Sequence, residues 1–126
     1  MTQVFSSFGQ LFIDPYAKHK PSWVKRRYRN PYRDPQRYAS FDQRLAALKR
    51  ERHRCFYCNA ALTLERSRID HIAPWRFGGR TQLYNLAACC DSCNGLKRNR
   101  FLEPDALAAL LRNRKRKQAL YPSLSR

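Results

Sequence analysis

"IDHIAPWRFGGRTQLYNLAACCDSCNGLKRNR", residues 69–100, decides the fold. It sets Asp70 directly before His71, passes through Gly78 and Gly79, reaches Asn85, and closes on a Cys-x-x-Cys pair at Cys90 and Cys93. A second pair, CFYC at 55–58, lies upstream. Two thiolates on one tight turn can reach a single tetrahedral zinc ion, so the two pairs together supply four ligands: Cys55, Cys58, Cys90 and Cys93. Zinc is favoured over disulfides or a redox-active dithiol, because two knuckles are more specific than one and cytosolic thiols stay reduced. With four protein ligands and no open position, the Zn²⁺ would be structural. A module this small buries too little apolar surface to be stable on packing alone, and a metal clip supplies the difference. Cys89 reads as a small buried strand residue. His53 reads as a basic surface position, in preference to a substitute ligand.

The surroundings are strongly basic. The chain has 126 residues, the length of one ordinary domain, with 26 Lys and Arg against 9 Asp and Glu and a formal net charge of +17. Its pI is near 10.5. Such an imbalance is unusual for a soluble enzyme acting on small neutral substrates and points to a polyanion, with nucleic acid leading. A membrane partner is not expected, since no stretch approaches the roughly 18 uninterrupted apolar residues of a spanning helix. The opening MTQVFSSFGQLFID lacks the basic start and apolar run of a secretory signal, which places the chain in a reducing cytoplasm.

Three regions are expected. Residues 1–39 form an arm in which Trp23, Tyr28, Tyr32 and Tyr38 alternate with Lys20, Lys25, Arg26, Arg27, Arg29, Arg33 and Arg37. Pro21, Pro31 and Pro35 deny it a long helix. The arm suits a backbone-tracking extension, and equally a solvated tail wrapping the domain. Residues 40–100 hold the knuckles. A helix should begin at Ser40, where SFDQ has the form of a capping box, and carry Phe41, Leu45 and Leu48 on one face. A short strand ends at Pro74, a glycine loop follows, NLAAC forms a second strand, and Asp91 caps a helix through Cys93, Asn94 and Lys97. Residues 101–126 form a basic helix and tail. That helix has a proline at its start, Leu107, Leu110 and Leu111 on one face, and Arg112, Arg114, Lys115, Arg116 and Lys117 at its end.

The combination of CFYC, IDHIAP, GG, YNL and CDSCNGLK resembles the HNH (His-Asn-His) endonucleases over about residues 45–100. In this sequence the first His falls on His71 and the Asn on Asn85, fourteen residues later. The third position, nine further on, is Asn94, as in the HNN variant. The resemblance implies an α+β fold: a small ββα-metal module stapled by a four-cysteine zinc site, with flanking helices and the basic arm. It also implies a nuclease that leaves 5′-phosphate and 3′-hydroxyl ends, in a bacterial or phage-type setting, with Asn85 orienting the histidine and holding the loop.

Phosphodiester hydrolysis explains why such residues belong together. A water attacks phosphorus and must lose its proton, while negative charge grows on the departing 3′ oxygen. A neutral imidazole suits the first task, making His71 the candidate general base. A divalent cation suits the second, and Asp70 and Asn94 are the candidate oxygen ligands for Mg²⁺ or Mn²⁺. Successive strand residues face opposite ways, so Asp70 and His71 require a strand end or distortion between them. Arg76, Arg80, Lys97 and Arg98, with Lys25, Arg26, Arg27 and Arg29 of the arm, are candidates for contacting the nucleic-acid backbone. The expected substrate is double-stranded DNA. RNA as substrate, or a zinc-stabilised nucleic-acid-binding protein without catalysis, would share the charge and the cysteines. A monomer with one site would nick, whereas double-strand cleavage calls for a homodimer, two encounters or a larger nucleoprotein machinery.

Overall fold

A computed structural model describes the strand Phe12–Ile13 and residues 32–123. The element order is β1 (Phe12–Ile13), α1 (Phe41–Arg50), β2 (Arg68–His71), β3 (Leu86–Cys89), α2 (Asp91–Lys97), β4 (Phe101–Leu102) and α3 (Pro104–Leu120). β2 and β3 pair antiparallel with Asp70 opposite Ala87 and His71 opposite Leu86, while β1 pairs antiparallel with β4. The fold is therefore α+β, built around two strands and a crossing helix. Among the described residues no helix is long and apolar enough to cross a membrane.

α1 begins as its sequence dictates. Ser40 Oγ accepts from the Gln43 amide at 3.1 Å and Gln43 Oε1 accepts from the Ser40 amide at 2.9 Å, a complete capping box contributing about 1 kcal/mol. Ala47 and Leu48 are buried where the helix packs on β3. Phe41, expected on that face, is 48 % exposed because only the later turns of the helix meet the sheet.

The strands are shorter than the apolar pattern implies. β2 stops at His71, and Ile72 continues through a single backbone bond to the Asn85 carbonyl at 2.8 Å. No distortion separates Asp70 from His71, since His71 is itself the last strand residue. The loop holds two 3-10 turns, Trp75–Phe77 and Leu83–Asn85. Gly78 sits at φ 99°, and a Cβ on Gly79 would lie 1.7 Å from the Ala73 carbonyl oxygen, so both glycines are required by the turn.

α2 is capped one residue earlier than expected. Cys90 is the N-cap, its sulfur accepting from the Cys93 amide at 3.4 Å, and Asp91 is the first helical residue. α3 buries Ala106, Leu110, Asn113 and Lys117, and Leu111 is 39 % exposed. The reason is Glu51, fully buried at the end of α1. Arg114 Nε donates to both of its carboxylate oxygens at 3.1 Å, and Lys117 Nζ lies 3.7 Å away while donating to the Cys55 carbonyl at 3.3 Å. Two cations of the expected phosphate-reaching cluster are thus spent inside the protein, which sets the rotation of the helix.

Candidate active site

The two knuckles converge. The sulfurs of Cys55, Cys58, Cys90 and Cys93 all lie within 4.8 Å of one another, and Cys58 and Cys90 are 3.8 Å apart. A tetrahedron with Zn–S bonds of about 2.3 Å has edges of about 3.8 Å, so the cluster fits a structural zinc. The backbone prepares it. Cys55 Sγ faces the amides of Tyr57 at 3.3 Å, Cys58 at 3.5 Å and Cys90 at 3.4 Å. A hydrogen bond from Cys93, together with these amides, brings the Cys55 thiol down to about 5 against the opposing effect of burial. Cys89 is buried outside the cluster, with its thiol 3.7 Å from the Arg68 carbonyl. His53 is also outside it. It is not the surface residue its sequence setting implied: both ring nitrogens are buried without a hydrogen-bond partner among the described residues, and the backbone reaches it through left-handed conformations at Arg52 and His53.

Asp70 lies under the sheet, where α2 packs on β2. Tyr57 Oη donates to its Oδ2, and Lys97 Nζ donates to its Oδ1 at 3.2 Å and to the His71 carbonyl at 2.8 Å. Burial raises the Asp70 carboxyl while Lys97 and Tyr57 hold it down, and burial lowers the Lys97 ammonium while Asp70 supports it. Lys97 is fully buried, so its side chain faces this carboxylate and not a nucleic-acid backbone. The helix explains this: Lys97 follows the buried Cys93 by four residues and shares its inward face. Replacing Lys97 by Met is expected to cost about 3–5 kcal/mol at neutral pH by stranding Asp70, and the Lys97→Met, Asp70→Asn pair to lose less than the sum of the two. Urea unfolding of the three variants measures this coupling, and strictly additive losses would contradict it.

His71 points the other way, toward the loop. Its Nε2 is 2.9 Å from Thr81 Oγ1, and the Thr81 hydroxyl in turn donates to the Gln36 carbonyl. Burial first, then the positive charge of Lys97, lowers the imidazole below its ordinary value, with Asp34 opposing. Residues 34–36 are tied across this loop. Thr81 N donates to Asp34 Oδ2 at 2.9 Å, Trp75 Nε1 to the Asp34 carbonyl at 2.8 Å, and Gln43 Nε2 to the Thr81 carbonyl at 2.9 Å. The guanidinium groups of Arg33 and Arg37 lie over the Trp75 ring at 4.8 and 4.7 Å.

Asn85 holds the loop alone. Its Oδ1 accepts from the Ala73 amide at 2.8 Å, and its Nδ2 donates to the carbonyls of Ala73 at 3.0 Å and Arg80 at 2.9 Å. With both ends of the amide spent on backbone, the imidazole partner is Thr81, not the asparagine that the resemblance implied. Asn94 sits on α2, partly buried, its side chain making no hydrogen bond among the described residues. Of the candidate backbone contacts, Arg76, Arg80 and Arg98 are exposed. Arg80 donates to the Tyr32 carbonyl at 2.8 Å and Arg98 to the Gly95 carbonyl at 3.2 Å. Lys25, Arg26, Arg27 and Arg29 lie outside the described residues. Sequence reasoning missed Tyr57 and Thr81. Tyr57 stands between two zinc-competent cysteines, a position that invites no other role, and Thr81 reaches His71 only through the fold of the glycine loop.

Residues 55–106 match the family model for HNH endonucleases. Over 57 residues the chain is 37 % identical to the CRISPR-associated endonuclease Cas9 of Corynebacterium diphtheriae, an alignment covering 44 % of this chain and 5 % of that protein. The chain thus corresponds to a small part of that relative's length. No solved structure gives a significant match. The matched stretch opens at the first cysteine of the cluster and closes in the first turn of α3, so the unit that the fold builds and the stretch that matches the HNH endonuclease family model coincide at residues 55–106.

Proposed function

We propose that this protein is a metal-dependent nuclease that hydrolyses DNA phosphodiester bonds, with His71 as general base and Cys55, Cys58, Cys90 and Cys93 holding a structural zinc. The observation that carries the reading is the state of His71, a half-buried imidazole anchored through Nε2 and biased toward its neutral form by burial and Lys97. A neutral ring at physiological pH can take the proton of an attacking water. Asp70 and Asn94 would hold the divalent cation. A carboxylate and an amide oxygen on the packed β2 and α2 form a hard donor set suited to Mg²⁺ or Mn²⁺, and each Asp70 oxygen keeps a lone pair beyond its one hydrogen bond. Such a cation polarises the scissile phosphate and stabilises the departing oxygen. Asn85 keeps the glycine loop closed, and with it the position of Thr81. The exposed Arg76, Arg80 and Arg98, joined by Lys25, Arg26, Arg27 and Arg29, would neutralise backbone phosphates, leaving 5′-phosphate and 3′-hydroxyl ends on the product.

Incubation of zinc-loaded protein with supercoiled plasmid in Mg²⁺ or Mn²⁺, and separately with a chelator of those ions, tests this. Nicking or linearisation that needs the added cation is expected. Tight, salt-sensitive DNA binding with no cleavage under any cation would favour a binding protein without catalysis, and cleavage of RNA alone would move the substrate.

A further inference from the structure

Thr81 is fully buried, and all three of its polar groups are engaged. Its amide donates to Asp34, its carbonyl accepts from Gln43, and its hydroxyl donates to the backbone carbonyl of Gln36. A carbonyl oxygen can only accept, so the single hydroxyl proton of Thr81 is committed to Gln36. The lone pairs of Oγ1 then face His71 Nε2 at 2.9 Å, and a contact at that distance between two lone pairs would be repulsive. The nitrogen must therefore carry the proton. Neutral imidazole has one N–H, which leaves Nδ1 with the free lone pair, and among the described residues no hydrogen bond engages Nδ1.

We infer that Thr81 is a positioning residue for the nuclease, and that residues 34–36, outside the matched domain, are part of its catalytic apparatus. The chain Gln36 carbonyl, Thr81 hydroxyl, His71 Nε2–H fixes both the tautomer and the ring plane of the base, so that Nδ1 is the atom that takes the proton from water. The inference rests on the reading of His71 as general base for its catalytic part, while the hydrogen-bond direction stands without it. The direction is enforced twice over. Asp34 grips the Thr81 amide and Trp75 Nε1 grips the Asp34 carbonyl, so the Gln36 carbonyl is held in place from both sides of the loop. A backbone carbonyl supplied directly to the imidazole would have served as well. Routing the contact through a hydroxyl makes the base depend on a segment that precedes α1 and lies 45 residues from Thr81 in sequence.

The test uses full-length zinc-loaded protein and two readouts. Long-range ¹⁵N–¹H spectra of the wild type at neutral pH should show a protonated Nε2 and an unprotonated Nδ1, with an Nε2–H proton protected from solvent exchange. In Thr81→Val, a near-isostere, that proton should be lost to exchange, and in Thr81→Ser it should return. Single-turnover cleavage should fall about 10- to 100-fold in Thr81→Val, recover in Thr81→Ser, and leave DNA affinity unchanged in both. Circular dichroism and zinc content establish that the valine variant is folded. If it is not, the wild-type spectrum and the serine variant decide the question alone. An Nδ1–H tautomer in the wild type, or full activity in folded Thr81→Val, would overturn the inference. An inactive wild type showing the Nε2–H tautomer would instead sink the nuclease reading and leave the hydrogen-bond assignment standing.

Discussion

Removing zinc with a strong chelator is expected to abolish the cooperative unfolding of residues 55–106, not merely to lower its midpoint. Structural zinc supplies an apparent free energy of about 10–16 kcal/mol in small metal-dependent modules, as large as the entire net stability of an ordinary domain. The cluster here spans the fold. Its knuckles come from segments 32 residues apart in sequence, Cys58 to Cys90, and the first is seated on β3 by a bond from the Phe56 amide to the Ala88 carbonyl at 2.9 Å. Phe56 and Tyr57, carried by that knuckle, are among the largest fully buried side chains. Opening the cluster therefore takes the apolar interior apart and releases Tyr57 from Asp70. Elemental analysis should give one zinc per chain, and thermal melts followed by circular dichroism should lose their transition on chelation. Cys90→Ser should reproduce the loss, and Cys89→Ala should not, because only Cys90 belongs to the cluster. Because the thiolates must be deprotonated to bind, zinc should also be released as pH falls. An unchanged melt after complete zinc removal would mean that the cysteines pack the interior without a metal.

Replacing His71 by alanine should lower the cleavage rate by about 10²- to 10⁴-fold, the usual contribution of a positioned general base, while salt-dependent DNA binding stays nearly intact. The fold should tolerate the change, because Lys97 bonds the backbone carbonyl of His71 and not its ring, and the β2–β3 register uses main-chain groups only. Single-turnover kinetics at saturating protein separate the two effects. A loss of affinity equal to the loss of rate would assign His71 to substrate binding or folding, and full activity would remove it from the chemistry.

How much of this could be read in the sequence depended on whether the deciding interaction was local. The capping box at Ser40, the Cys-x-x-Cys spacing and the strand before His71 are set by neighbours within a few residues, so their patterns survive in one dimension. A lysine beside an arginine in the run Gly95-Leu96-Lys97-Arg98 looks solvated, and only its helical spacing from Cys93 marks Lys97 as buried. Arg114 and Lys117 look like their exposed neighbours Arg112, Lys115 and Arg116 for the same reason. Their real partner, Glu51, is a buried carboxylate that no local pattern distinguishes. Asn85 holds the loop as the resemblance implies, but the contact to His71 comes from Thr81, because sequence spacing says which residues share a loop and not which atoms meet. A threonine fully buried in tertiary contacts has no periodicity to announce it.

The pairing of Glu51 with α3 has a consequence for how the chain emerges from a ribosome. Synthesis proceeds from the N-terminus, and segments fold as their contacts become complete. All four cysteines are available once α2 has appeared, so the metal clip can close early. At that moment Glu51 has only its neighbour Arg50 as a partner, Arg114 lies 63 residues ahead of it, and the Cys55 carbonyl awaits a lysine 62 residues ahead. A nascent chain that had bound its metal would then hold Glu51 against Arg50 alone, at 3.3 Å, without the two cations that α3 brings to it. Assembly of this core is complete only when α3 docks and its two cations enter the interior, making that docking the closing step.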